Sequence, residues 1–102
     1  YQRSGDVGLG VPFNMASYSF LTHIIAHHCG LIADEFVHFI GNAHIYENHL
    51  AGLFEQLKRK PFNLPKMRLL NHHDSINDYN IDDISWIKEY KHQGTIKMEM
   101  SA

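Results

Sequence analysis

Cysteine is almost absent from this chain. Cys29 is the single one in 102 residues, which excludes an internal disulfide framework and suits a reducing, cytoplasmic compartment. Charge of one sign is also lacking: nine basic residues against eleven acidic ones leave a formal net charge of -2. A protein built mainly to hold nucleic acid would be basic. Long apolar runs are missing too, because His, Ser, Thr or Asn interrupts each of them, and none is long enough to cross a membrane. The polar N-terminus shows no apolar stretch following a basic one, so no secretory signal is read there. No internal repeat, low-complexity tract or linker stands out. What remains is an ordinary globular composition, 44% hydrophobic and 20% charged, at the length of one small domain.

Patterning along the chain predicts an α+β fold, a mixed sheet packed by helices around a buried central helix. Residues 1 to 4 read as the end of a strand, and 5 to 11 as a glycine-rich loop. Pro12 suits a first helical turn, where its missing amide does no harm. Residues 13 to 29 are apolar on nearly every side, from Phe13, Met15 and Tyr18 through Leu21 and Ile25 to Cys29, as in an enclosed helix. The other residues supply few partners to enclose it, so the chain is expected to be the C-terminal portion of one larger domain. Gly30 is placed to cap that helix. Residues 31 to 35 read as a turn or short helix, and Phe36 to Tyr46 as a strand with a break at Gly41. Residues 47 to 58 return to helical spacing through Leu50, Leu53, Phe54 and Leu57. Pro61 and Pro65 bracket a connector, 66 to 70 is a short strand, and 71 to 74 a polar turn. A helical turn at 81 to 84 and strands at 86 to 90 and 95 to 100 complete the pattern.

The first fourteen residues carry the chemistry. Arg3 and Ser4 end an extended stretch, glycines follow at positions 5, 8 and 10, and Asn14 lies in the first turn of a helix. Arg presents a planar fork of donors that matches phosphate oxygens, and Ser and the turn amides add more. A carboxamide such as Asn14 sets a donor beside an acceptor, as reading a nucleobase edge requires. The same residues also describe a strand, a turn and a capped helix with a surface arginine.

The string Arg-Ser-Gly-Asp-x-Gly-Leu-Gly-x-Pro-Phe-Asn-x-Ala-Ser-Tyr, from Arg3 to Tyr18, resembles the nucleotide-binding signature of the thymidylate synthase family. The resemblance continues through Gly41-Asn42-Ala43-His44-Ile45-Tyr46-Glu47-Asn48-His49 and ends at Thr95-Ile96-Lys97-Met98-Glu99-Met100, covering essentially the whole chain. It implies reductive methylation of deoxyuridine monophosphate by methylene-tetrahydrofolate. Arg3, Ser4 and Gly5 would then hold the phosphate, and Asn14 the uracil edge. His44, Ile45 and Tyr46 would surround the sugar, with His44 and Tyr46 on its 3′-hydroxyl. Asp6 would lie between nucleotide and folate, and Leu9, Gly10, Phe13 and Ser101 would line the folate pocket. Asp6 and Asn14 are the catalytic candidates. Asn42 stands where the family more often has aspartate, and Ser101 where it usually has a small alanine.

Cys29 reads as a buried, inert thiol without the Pro-Cys-His setting of the family's nucleophile. The resemblance therefore implies that the nucleophile lies upstream of Tyr1, as would the arginines that reach the phosphate across a homodimer. Nine histidines, with His23 and His27 four apart, raise a metal reading, but no third and fourth ligand follow at a defined spacing, and no metal is expected. The alternatives are a pyrimidine nucleotide hydroxymethylase of the same fold and a catalytically incomplete homologue that binds nucleotide or its own message.

Overall fold

A computed structural model describes residues 1–87 and 89–101. The chain is a small mixed α/β structure with two helices and two short sheets. Strand β1 (Gln2–Asp6) is followed by helix α1 (Val11–His28) and strand β2 (Ile40–His44). β1 and β2 pair in parallel, with Ser4 opposite Asn42 and Asp6 opposite His44. Parallel neighbours need a long crossover, and α1 supplies it. A 3₁₀ turn at Glu47–His49 leads into helix α2 (Leu50–Lys58). Strands β3 (Met67–Leu69) and β4 (Ile84–Trp86) form a separate antiparallel pair with Leu69 opposite Ile84. Further 3₁₀ turns occupy Ile76–Asp78 and Ile81–Asp83.

Both ends of α1 form as its sequence dictates. Pro12 sits in the first turn, and Gly30 adopts φ 66° just past the end. There the Gly30 amide donates to His27 O at 3.2 Å and the Leu31 amide to Ala26 O at 2.7 Å. This pair of bonds satisfies the terminal carbonyls and requires the left-handed backbone that glycine adopts freely.

Helix α1 is left largely uncovered by the other elements, in keeping with the few partners the sequence offers it. Ala26 is its one buried residue, while Phe13, Met15, Tyr18, Leu21 and Ile25 are exposed. Cys29 is exposed as well, not buried. The two sheets are separate, two-stranded and too small to wrap an eighteen-residue helix. The radius of gyration is correspondingly large, 16.2 Å against about 13 Å for a compact chain of this length. The single mixed sheet is likewise replaced by one parallel and one antiparallel pair.

Other boundaries shift for pairing reasons. The long strand expected over 36 to 46 is confined to Ile40–His44, because its partner β1 offers Gln2 as its first paired residue, opposite Ile40. Residues 31 to 35 take no regular structure, and neither do 95 to 100. The final segment instead packs on α2: a Cβ at Gly52 would stand 3.0 Å from Met98 and 3.1 Å from Ile96. The strand expected over 86 to 90 includes Lys88, which lies outside the described residues, and β4 ends at Trp86.

The segment 71–83 is joined to the end of α1 by polar contacts. His27 Nε2 bonds Asn71 O at 2.8 Å, His72 Nε2 bonds His28 O at 3.1 Å, and the His28 and His72 rings stack at 5.6 Å. Within the segment, the buried Asp83 carboxylate accepts from Asn71 Nδ2 at 2.8 Å, the Asn80 amide at 2.9 Å and His73 Nε2 at 3.0 Å. The Asn71 bond, then those from Asn80 and His73, draw the Asp83 carboxyl down to about 2. A depressed carboxylate stabilises the fold above its unfolded value and loses that contribution as pH falls through its folded one. The thermal midpoint is therefore expected to decline as pH drops from about 4 toward 2, and Asp83→Asn to flatten that decline while lowering stability at neutral pH. Melts followed by circular dichroism check this; equal acid slopes for both proteins would contradict it.

Candidate functional site

Asp6 and His44 sit opposite each other at the carboxyl ends of two parallel strands. That is where open α/β sheets bind ligands, since the loops leaving the strands diverge there. The backbone immediately turns: Val7 N donates to His44 O at 2.9 Å, and Gly10 N donates to Asp6 O at 3.0 Å. The Asp6 carboxylate organises this turn by accepting from Gly8 N at 2.9 Å and Leu9 N at 3.3 Å. Its side chain also remains partly exposed, at 21%.

Asn14 is not the cap of α1. That place belongs to Gly10, and Asn14 N donates to Gly10 O at 2.9 Å. The Asn14 side chain is held by Gln2, whose Nε2 donates to Asn14 Oδ1 at 2.9 Å and to Ser4 O at 2.7 Å. Gln2 Oε1 in turn accepts from His38 Nε2 at 2.9 Å. The relay His38–Gln2–Asn14 fixes the carboxamide, and among the described residues its Nδ2 donates to no partner. Tyr1, Gln2, Asn14, Tyr18, Phe36 and His38 are among the residues around an adjoining cleft of about 360 Å³. Neither Gln2 nor His38 was expected from sequence; the signal available was that Gln2 and Ser4 share a strand face.

Arg3 stands apart from this group. It is exposed on β1, and among the described residues no carboxylate lies within ion-pair distance of it. Its guanidinium is therefore uncommitted, with no acidic partner to displace. Ser4 and Gly5 continue β1 in the ladder with Asn42 and Ala43.

His44 and Tyr46 are brought together, although Tyr46 lies just beyond β2: their rings meet edge to face at 5.3 Å. Ile45 between them is half exposed. Tyr46 also meets His49 at 5.6 Å. A second, larger cavity of about 790 Å³ is lined by Leu9, Pro12, Phe13, Leu57, Ile96 and Met98, among others. Two of the expected folate residues, Leu9 and Phe13, share this apolar space. Gly10 lies behind them, where an added Cβ would stand 3.2 Å from Asp6 O and 3.7 Å from Asn14 Oδ1. Ser101 exchanges hydrogen bonds with the Asn48 carboxamide at 2.8 and 3.0 Å. Ala102, the last residue of the expected tail, lies outside the described residues. Cys29 is remote: fifteen helical positions from Asn14 correspond to about 22 Å at 1.5 Å per residue.

The chain is similar to known proteins along its whole length. The family described as thymidylate synthase matches residues 1–102. The chain is 52% identical over 101 residues to human thymidylate synthase, covering 99% of this chain and 32% of the human one. It is 52% identical over 104 residues to a probable thymidylate synthase of Schizosaccharomyces pombe, covering 99% of this chain and 16% of that protein. Against a bifunctional dihydrofolate reductase-thymidylate synthase of Plasmodium berghei the figures are 48% over 102 residues, 100% and 17%. The chain thus spans a third or less of the length of these relatives. With a family match that runs from its first residue to its last, the chain belongs to the thymidylate synthase family.

Proposed function

We propose that the protein carrying this chain converts deoxyuridine monophosphate to thymidine monophosphate with methylene-tetrahydrofolate, and that residues 1–102 are the C-terminal portion of its one catalytic domain. The observation that carries the reading is the whole-length family match, together with an Asn14 carboxamide held beside an open cleft. Arg3, Ser4 and Gly5 take the phosphate. Asn14 takes the uracil edge, and His44, Ile45 and Tyr46 take the sugar.

The donor set suits a folate: Leu9, Phe13, Ile96 and Met98 give an apolar cavity large enough for a pterin and its aromatic arm, with Asp6 at the turn beside it. When bound, methylene-tetrahydrofolate supplies the one-carbon unit and the hydride that completes the methyl group. Asp6 offers acceptor oxygens to the pterin, and Leu9 and Phe13 exclude water from its ring. Asn14 Nδ2 donates to the uracil carbonyl oxygen where negative charge develops. Holding both reactants in register contributes several kcal/mol, on the order of 7 or more for well-oriented pairs. Cys29 is too distant to attack the ring, so the nucleophile is assigned to a cysteine outside these residues. The homodimer with partner arginines on the phosphate, and the cytoplasmic location, belong to the same reading. Its support is the family likeness.

The test uses the full-length protein with nucleotide tritiated at the ring carbon that receives the methyl group. Folate-dependent tritium release with equimolar dihydrofolate is expected. A hydroxymethylated pyrimidine without dihydrofolate would overturn the assignment in favour of a hydroxymethylase.

A further inference from the structure

His49 is the largest fully buried side chain of this open structure. Its surroundings are polar and unusual. Nε2 lies 2.6 Å from Glu99 O, and because a carbonyl oxygen only accepts, Nε2 carries the proton of that bond. The other nitrogen, Nδ1, is buried without a hydrogen-bond partner among the described residues. Its nearest acidic neighbour is Asp6 Oδ1, at 3.6 Å. A buried polar atom left so close to a carboxylate calls for an explanation, since such atoms normally find a partner.

The backbone is shaped to allow this approach. A Cβ on Gly8 would stand 2.6 Å from His49 Nδ1 and 3.2 Å from its Cγ, so the ring occupies the space a side chain would need. Gly8 is also the residue whose amide donates to Asp6 Oδ1. The imidazole therefore spans from the Asp6 turn to the main chain of the C-terminal segment, with Tyr46 against its edge. That segment supplies Ile96 and Met98 to the wall of the large cavity.

We propose that His49 is a positioning residue, a buried strut that sets the Asp6 carboxylate toward the folate cavity by linking it to the C-terminal segment at Glu99. The proposal rests on the reading above that Asp6 contacts the folate. Seating the segment presses the ring against the Asp6 turn, and loss of the ring leaves both the carboxylate and the segment free to move. His49 touches neither substrate; its effect passes through Asp6.

The experiment is a double-mutant cycle in the full-length protein with His49→Gln and Asp6→Asn. His49→Gln is expected to raise KM for methylene-tetrahydrofolate about tenfold or more, as small misplacements of a binding group do. The dissociation constant for deoxyuridine monophosphate should stay within about twofold of wild type, the usual scatter of uncoupled sites. In the Asp6→Asn background, His49→Gln should add nothing further. A folate KM within about twofold of wild type, or full multiplicative losses in the double variant, would overturn the proposal. Equal weakening of nucleotide and folate would also overturn it, by making His49 a general structural residue. If His49→Gln fails to fold, Gly8→Ala decides by amide exchange at Met100 and Ser101: its methyl group displaces the His49 ring, and because Gly8 also lines the folate cavity, folate affinity is not the readout for this variant.

Amide hydrogen exchange at Met100 and Ser101, measured without ligands, separates this proposal from the functional reading. Faster exchange in the variant supports the strut even if the wild-type protein binds no nucleotide. Unchanged exchange overturns the strut whatever the activity.

Discussion

Replacing Arg3 by alanine in the full-length protein is expected to raise the dissociation constant for deoxyuridine monophosphate by roughly fifty- to a hundredfold, an effect of about 2–3 kcal/mol. The magnitude follows from the loss of two charge-assisted bonds to phosphate, each contributing roughly 1.5–3 kcal/mol before discount for an exposed site. Arg3 has no acidic partner among the described residues, so removing it breaks no ion pair within the chain. Stability should therefore change by no more than about 0.5 kcal/mol, the usual range for exposed positions. Arg3→Lys should recover part of the affinity, because the charge survives and the planar fork does not. Added salt should weaken nucleotide binding by wild type more than by Arg3→Ala, since screening acts on the interaction that the variant has lost. Titration calorimetry at two salt concentrations reads the three binding effects, and a thermal melt reads the stability. An unchanged affinity, or an Arg3→Ala protein that unfolds, would place Arg3 in a structural role.

Asn14→Asp should invert base preference. In the folded chain Gln2 Nε2 donates to Asn14 Oδ1 at 2.9 Å, and a carboxylate oxygen would accept that bond equally well. The substitution therefore preserves the support and changes only what faces the pyrimidine. Uracil offers a carbonyl oxygen and an N–H; cytosine offers an amino group and a bare nitrogen. A carboxylate opposes the uracil oxygen with no proton between them and welcomes the amino group of cytosine. Gaining one match and losing the other are each worth about 2–3 kcal/mol, so the ratio of kcat/KM between the two nucleotides should shift on the order of a thousandfold. The measurement is a competition of both nucleotides in one reaction, with products separated by chromatography. An unaltered ratio would remove Asn14 from base reading. Loss of Gln2 should imitate a weaker form of the defect, because the carboxamide would then rotate freely.

The local chemistry of the N-terminal block was legible because it is written in short-range rules. Gly30 past the last apolar turn, Pro12 at the helix start and the Asp6-capped turn all formed as their residue types require. The family likeness was also legible, since three ordered blocks span the chain. What the sequence concealed depends on contacts between distant residues. The exposure of α1 and Cys29 follows from how little of this chain is available to cover them. Apolar composition states only that a helix demands cover. The shortened β2 depends on where β1 begins to pair. Segment 95–100 looked like a strand by its alternation, yet it packs its side chains on α2.

The site divides in the same way. Asp6, Leu9, Phe13, Asn14, His44 and Tyr46 are proposed from the motif, and the structure sets Asp6 opposite His44 and places Leu9 and Phe13 in one cavity wall. Gln2 and His38 lie outside the motifs, and His49, the last residue of the second block, was given no role there, because their contacts run to other residues of the chain. Ser101 bonds Asn48, one residue from the buried His49, a contact the motif did not signal. Supporting residues of this kind emerge only when hydrogen bonds between segments far apart in sequence are known, as between His49 and Glu99.

The account turns on one ligand pose. A crystal structure of the full-length protein with deoxyuridine monophosphate tests it most directly. The phosphate should lie within hydrogen-bond distance of the Arg3 guanidinium and the Ser4 hydroxyl, and the uracil edge should face the Asn14 carboxamide. Density for the nucleotide at another place, or a phosphate held without Arg3, would contradict it.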